Sequence, residues 1–470
     1  MVEKNSQDVN FKEILPISKK IGYSFVNMVS NLLSLIVFTS ITFFYNVKFG
    51  LGKEYIAFAW LIFGIWNAIN DPIFGILEEK TKTKIGRRIP YIRYGAPIYI
   101  AAFIFCWYPF VDINNQVLVC LNLILSLTIF DTIFTIIGLV AYSLPAEMTF
   151  TAKARTNLIL YSTIIGGIGT IIGNFIMASL LLNSESSALD PYFRPAMIII
   201  GVVCGVLMFI SSYYLKENEY TQREETLSIV ASVIETFKNK AFVIFEAAAI
   251  LFIILQTLLG SGLLYYIKYV LGLSGTAAGF PSLVLYLTML LFSVIVNALV
   301  PKFGLKKILL YGAMWGAGSF LLLFLIGQTI EGGYIGIIFL SFGLAAIVLS
   351  SQAIFADIVD YDEFKTGKRR ETTYSGVQAL ITKPSISIGN ALLMLILGSY
   401  GFDENIAVQS ESAILGIMIA VFLVPAIISI ICVVIARFYP LYGSKWQETK
   451  LNLAKIHQEK ERAYLETKSN

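Results

Sequence analysis

The chain has 470 residues, of which 57% are hydrophobic and only 14% charged, with a formal net charge of +4. A soluble domain carries about 25% charged residues, so the composition excludes an ordinary water-soluble fold, and the modest charge gives no reason to expect a nucleic-acid partner. The four cysteines, Cys106, Cys120, Cys204 and Cys432, lie in apolar stretches and the single histidine, His457, in a polar tail, which excludes a disulfide framework and any histidine relay or histidine metal site inside a membrane.

Met1 to Lys20 is polar, and the apolar run behind it is too long for a signal peptide, so no cleavable leader is expected. Apolar stretches follow at 22–46, 55–77, 92–111, 116–148, 157–183 and 191–215. Each is long enough to cross about 30 Å of hydrocarbon as a helix. Lys216 to Lys240 is the longest polar connection, and its core, Leu227 to Ile234, has the apolar spacing of a helix lying on a membrane surface. Further spans are expected at 241–269, 275–300, 306–328, 332–358, 373–400 and 411–439, before a charged tail from Ser444 that reads as a helix or a disordered end. The expected fold is an all-α membrane protein of about twelve transmembrane helices. Its halves are residues 1–215 and 241–443, joined by a linker at 216–240 and followed by a tail at 444–470.

Basic residues alternate between successive loops. Lys4, Lys12, Lys19 and Lys20 precede the first span, and Lys80, Lys82, Lys84, Arg87, Arg88 and Arg93 follow the second. Lys302, Lys306 and Lys307 follow the eighth, and Lys365, Lys368, Arg369 and Arg370 the tenth. The other loops hold little beyond Lys48, Lys53, Arg194 and Lys268. The positive-inside rule then places both termini in the cytoplasm of a multi-pass cell-membrane protein. Gly75 to Arg88 and Val300 to Lys307 form a weak repeat: each is a glycine-containing turn followed by paired cations. Two parallel six-helix halves around a midplane site are a transporter layout, that of the major facilitators.

Polar residues inside the spans are few and therefore informative. Asn31 sits mid-depth on the first span, where an asparagine serves equally as interhelical glue or as a ligand. On the second, Asn67, Asn70 and Asp71 share one helix face, followed by Pro72. Such oxygen ligands suit a hard cation such as Na+; Asp71 alone would suit a proton, and bonding between helices near a kink is the plainer alternative. On the fourth span Thr128, Asp131, Thr135, Gly138 and Tyr142 recur every three or four residues, again one face. Asp131 lies about 22 Å from the outer end by helix rise, and needs a partner or a polar cavity. Glu246, one turn into the seventh span, reads as interfacial. Lys383, with Gln378 and Thr382 nearby, lies near mid-depth in the eleventh span, and its ammonium is expected to pair with Asp71 or Asp131.

Asn67 to Gly75, followed by Lys84 to Tyr91, resembles the second helix and following loop of the glycoside-pentoside-hexuronide:cation symporters of the major facilitator superfamily. So does the run Ala356-Asp357-Ile358-Val359-Asp360-Tyr361-Asp362-Glu363-Phe364-Lys365, continuing through Arg370-Glu371 and Tyr374 to Gln378 and Lys383. Ser143-Leu144 and Glu147-Met148-Thr149 also fit, and the resemblance covers nearly the whole chain. It implies a cation site at Asp71, Asn70 and Thr135, with Asn67 standing where the family has a second carboxylate. It implies solute contacts at Lys383 and Gln378, and at Tyr142 in place of a tryptophan. Asn31, Gly138 and Thr163 replace the family's two acidic residues and arginine around the sugar, and Asp131 is a candidate for the lost fourth-helix role. Arg87, Arg88 and Glu147, with Glu78 and Glu79, resemble a latch within one half; Asp357, Asp360 and Arg370 would do the same in the other.

The resulting expectation is a secondary transporter moving a sugar, glycoside or similar small polar solute by alternating access, coupled to H+ or Na+, with no other cofactor. The partners are the solute, the coupling cation and the lipid bilayer. A lipid or amphipathic cargo on the same fold, or a non-transporting receptor or scaffold, are the alternatives. No nucleophile–base pair, metal set or phosphate loop suggests an enzyme, and no catalytic residue is assigned.

Overall fold

Without water in the bilayer core, backbone groups must bond within their own segment, which dictates helices. The computed structural model describes residues 15–81, 83, 85–149, 152–182, 191–216, 229–367, 370–444 and 446–453, without the side chains of 72, 75–80, 146–147, 152–153, 155–156, 229–232 and 371–372. Its elements are helical, with no strand among the described residues. The first half comprises α1 (Ile17–Phe43), α2 (Lys53–Lys80), α3 (Ile89–Trp107), α4 (Gln116–Met148), α5 (Ala152–Leu181) and α6 (Phe193–Ser211). After the short α7 (Ile229–Phe237) come α8 (Lys240–Tyr265), α9 (Thr276–Phe303), α10 (Leu305–Ile326) and α11 (Ile330–Thr366). The expected eleventh span is two helices, α12 (Glu371–Thr382) and α13 (Pro384–Ser399), and the last is α14 (Glu411–Met418) and α15 (Val424–Arg437), joined by a π-helical turn.

Eleven of these helical runs are long and apolar enough to cross a membrane. The expected second span falls on α2, whose 28 residues reach about 42 Å at 1.5 Å per residue. Side-chain caps fix several starts: Asn115 accepts from the amides of Val117 and Leu118, Asn239 from that of Ala241, and Thr329 from that of Gly332. These bonds satisfy donors that a helix N-terminus leaves free.

Helices α1–α6 pack among themselves, as do α8–α15, and the two sets meet along α2 and α13, α5 and α9, and α1 and α8. The halves repeat a structural detail. The π-turn Phe44–Lys48 ends α1, and Tyr266–Val270 ends α8. Each is followed by a left-handed glycine, Gly50 at φ +62° and Gly272 at φ +66°. Each is also closed by a backbone bond of 3.0 Å, from Leu51 to Tyr45 and from Leu273 to Ile267.

One face of the bundle carries the basic loops, with Lys19, Lys20, Arg87, Arg88, Lys306, Lys307 and Arg370. Near the opposite face the halves are stitched together. Lys53 on α2 pairs with Glu404 at 2.9 Å and donates to the Phe402 carbonyl at 2.6 Å. Thr42 donates to Asn390 at 3.0 Å, and the Tyr265 hydroxyl to Asn46 at 3.0 Å. Toward the basic face, α2 packs closely along α13 but only thinly along α12.

The expected linker helix is α7, and it does not lie free. Its Val233 packs on a small core with Phe242 and Tyr374, its Thr236 is buried, and Glu235 pairs with Arg370 at 3.6 Å. Ile234 and Phe237 stay exposed. The tail begins as a helix over 446–453; residues 1–14, with Lys4 and Lys12, and 454–470, with His457, lie outside the described residues, as do Lys82, Lys84, Lys368 and Arg369.

Candidate functional site

Two local features set the site. Gly64 allows α2 to cross α13 closely, since a Cβ there would lie 2.9 Å from that of Ser387. Pro384 has no N–H to continue the ladder, so the hydrogen bonding of the eleventh span is interrupted at Lys383, which ends α12 and begins α13 while keeping helical dihedrals. The Lys383 carbonyl accepts from Ile386 N at 3.1 Å and from Asn67 Nδ2 at 3.4 Å. With α2 and the α12–α13 pair antiparallel, Asp71 on one comes level with the lysine on the other.

The ammonium of Lys383 lies 2.5 Å from Asp71 Oδ1 and donates to Thr135 Oγ1 at 3.0 Å. Thr135 donates to Asp71 Oδ1 at 3.1 Å. Asn70 Nδ2 donates to Thr135 Oγ1 at 3.2 Å and makes a short bond to Asp131 Oδ2. Of the two carboxylates open to Lys383 in the sequence, the structure selects Asp71. Asp71 is 7% exposed and Asp131 1%, so Asn67, Asn70, Asp71, Asp131 and Thr135 form one buried cluster that Lys383 closes from the other half. Two acceptors in it have no partner among the described residues: Asn67 Oδ1 and Asn70 Oδ1. A buried amide oxygen without a donor is costly, and hard cations take oxygen ligands of this kind. Carboxylate, carboxamide and hydroxyl oxygens therefore fit Na+ at Asp71.

Other expected residues stand apart. Asn31 bonds Asn27 at 3.0 Å, which in turn bonds Ser162 at 2.6 Å; it shares a face of α1 with Phe38, two turns away, and does not join the cluster. Tyr142 is exposed, and its hydroxyl meets Ser375 of α12 at 3.0 Å, bridging the halves toward the basic face. A cavity of about 280 Å³ lies between the halves, lined by Phe38 and Thr39, by Ile253, Gln256, Thr257, Gly260 and Ser261 of α8, and by Ile386.

Glu246 corrects its interfacial reading: it is 4% exposed, with neither carboxylate oxygen in hydrogen-bond geometry, and the half-buried Gln378 side chain is beside it. The depth along a helix was legible, but its rotation toward α12 was not.

The basic-face charges also rearrange. Arg370 grips Asp362 bidentately at 2.8 and 2.7 Å, because Gly367 at φ +71° turns the chain back on α11. Asp362 first, and then Glu235, hold the guanidinium pKa above its ordinary value. Asp357 is taken instead by the tail, accepting from Trp446 Nε1 at 2.9 Å and pairing with Lys450. Asp360 is half-buried between these two clusters in sequence, and Arg87 and Arg88 are half-buried after α2. The side chains of Glu78, Glu79 and Glu147 lie outside the described residues. Asp362 and the Lys53–Glu404 pair were not singled out as partners in the sequence; a bidentate geometry and a contact between distant loops have no local signature.

Known proteins bear on this arrangement. The uncharacterized symporter YnaJ of Bacillus subtilis (strain 168) is 23% identical over 97% of this chain and 98% of its own. The isoprimeverose transporter of Lactiplantibacillus pentosus is 26% identical over 85% of this chain and 84% of its own. The crystal structure of a D-xylose-proton symporter superposes with a TM-score of 0.66 at 12% identity, covering 90% of this chain and 97% of that one, which shows the fold. The sequence profile of the family described as MFS/sugar transport protein matches residues 22–443. With that profile spanning nearly the whole membrane region, the chain belongs to the MFS/sugar transport protein family and is a membrane transporter, not an enzyme.

Proposed function

We propose that this protein is a symporter that moves a sugar or glycoside together with a monovalent cation, Na+ or H+, by alternating access across the cell membrane. The basic face is cytoplasmic, with both termini on that side, and the halves are held together at the opposite face by Lys53–Glu404 and Thr42–Asn390. The observation that carries the reading is the Asp71–Lys383 pair. It joins the two halves at a buried cluster with unpartnered oxygens, so a cation entering there competes with the ammonium and changes how the halves meet. Thr39, Gln256, Thr257 and Ser261 present polar groups for solute hydroxyls, and Phe38 an apolar ring for a sugar face. The relative named for isoprimeverose supports a glycoside cargo, and the one named a symporter supports cation coupling.

Asn31, Tyr142 and Gln378 are assigned to the solute path and Lys383 to both ligands. Arg87, Arg88, Glu147, Asp357, Asp360 and Arg370 are assigned to gating. A thermal-unfolding screen of the purified protein against sugars, glycosides and lysolipids, with and without sodium, tests the reading. A ligand at 100 times its Kd stabilises by about 2.7 kcal/mol. The expected result is stabilisation by a sugar or glycoside, enhanced by cation to the same factor by which solute enhances cation binding. Stabilisation by lysolipids alone would overturn the cargo, and solute binding indifferent to sodium and pH would overturn the coupling.

A further inference from the structure

On α2 the cluster has a single carboxylate, Asp71, since Asn67 and Asn70 are neutral. The structure brings a second from another helix. Asp131 lies on α4 one turn before Thr135, and its Oδ2 accepts from Asn70 Nδ2, the same nitrogen that donates to Thr135 Oγ1. Thr135 donates onward to Asp71. One amide and one hydroxyl thus join two buried carboxylates. Asp131 is 1% exposed and its carboxylate is held by Asn70, so a direct grip on the solute does not suit it. Among the described residues the cation set against these anions is Lys383. With both carboxyls ionised, two carboxylates and one ammonium leave the cluster one positive charge short, and an uncompensated buried charge is costly, so either a proton or a bound cation must make up the difference. The same cluster holds the two orphaned carboxamide oxygens of Asn67 and Asn70. One monovalent alkali cation would supply both the missing charge and the missing partner.

We propose that Asp131 is the second anionic member of the coupling-cation site, supplied by α4 where α2 has the neutral Asn67, and that sodium or lithium balances the Asp71–Asp131 pair alongside Lys383. The proposal rests on reading the α2–α4 cluster as the cation site, and is independent of which solute is carried.

The test uses the full chain, purified, without solute. Sodium chloride, and separately lithium chloride, is titrated against choline chloride at constant ionic strength and fixed pH, and the unfolding midpoint and tryptophan fluorescence are read. The wild type is expected to show a saturable response. Asp131→Asn should raise the half-saturating sodium concentration by about 10- to 100-fold, the scale of removing one charge at a few ångströms in a partly polar site. Asn67→Asp combined with Asp131→Asn returns a carboxylate to α2 and should restore saturation to within a few-fold of wild type. An Asp131→Asn protein saturating at the wild-type concentration overturns the proposal, as does a wild type blind to both ions. Where Asp131→Asn alone is too unstable to titrate, the double variant carries the test, and its failure to respond to sodium counts against the idea. A sodium response with no sugar response sinks the solute reading alone; a sugar response in a sodium-blind wild type sinks this site alone.

Discussion

Replacing Lys383 by methionine isolates the contact between the two halves. The ammonium sits 2.5 Å from Asp71 Oδ1, with side-chain exposures of 20% and 8%. At an effective dielectric of about 20, that separation corresponds to a gross attraction of about 7 kcal/mol. Desolvation of both groups offsets much of this, and removing one partner of a buried pair costs about 3–5 kcal/mol because the other charge is stranded. Lys383→Met should therefore lower the unfolding midpoint in choline buffer clearly. Asp71→Asn in the same background should recover part of the loss, since the double variant no longer strands Asp71 and leaves Asp131 as the one carboxyl of the cluster without its ammonium. A double-mutant cycle on unfolding midpoints, run in choline and in sodium, measures this coupling. Sodium should rescue Lys383→Met more than it stabilises wild type, because Asp71, Thr135 and the free oxygens of Asn67 and Asn70 remain to receive it. If Lys383→Met is as stable as wild type in choline, or if adding Asp71→Asn deepens the loss, the pair is not the contact described.

Other consequences can be measured on the same protein. Gly64→Val puts atoms where Ser387 Cβ already stands within 2.9 Å of the glycine's virtual Cβ; overpacking of about 1–3 kcal/mol should appear as a lower midpoint and a weaker sodium response, and an unchanged sodium response would uncouple the α2–α13 crossing from the site. Lys53→Met leaves Glu404 unpaired at the far face, so a cysteine introduced at Thr39 should label several-fold faster from that side, by about 1 kcal/mol of lost closure; equal labelling rates would count against this latch. Glu246→Gln replaces a buried carboxyl whose oxygens meet no donor in hydrogen-bond geometry among the described residues, so the midpoint should hold or rise, and a loss above about 2 kcal/mol would reveal a partner. Lys238 first, and Arg370 after it, hold the Glu235 carboxyl below its ordinary range. Its folded value is below its unfolded one, so the α7 contact is fully present above the ordinary carboxylate range and is lost as pH falls through the folded value. Amide protection across 229–237, taken relative to the intrinsic exchange rate at each pH, should therefore fall in acid, and should lose that dependence in Glu235→Gln.

Much of the site was legible residue by residue. Asn67, Asn70 and Asp71 fall on one face, as do Asp131 and Thr135, because helical spacing is a property of the chain itself. The eleventh span, expected at 373–400, runs as one from Thr373 to Ser399, and the visible Pro384 only interrupts its hydrogen-bond ladder at Lys383 through the missing amide. The partner of Arg370 was not visible, since Asp362 reaches it only through the left-handed turn at Gly367.

Composition and periodicity determined by themselves that the chain is a bundle of membrane-spanning helices with a few buried polar faces, because hydrocarbon admits little else. Tertiary structure alone decided which of those faces meet: that Lys383 takes Asp71, that Asp131 joins the cluster through Asn70, and that Glu246 is buried beside Gln378. Spacing sets a residue's height and angle on its own helix. The rotation of one helix against another is set by close crossings such as Gly64 on Ser387, and these belong to pairs of segments far apart in the chain.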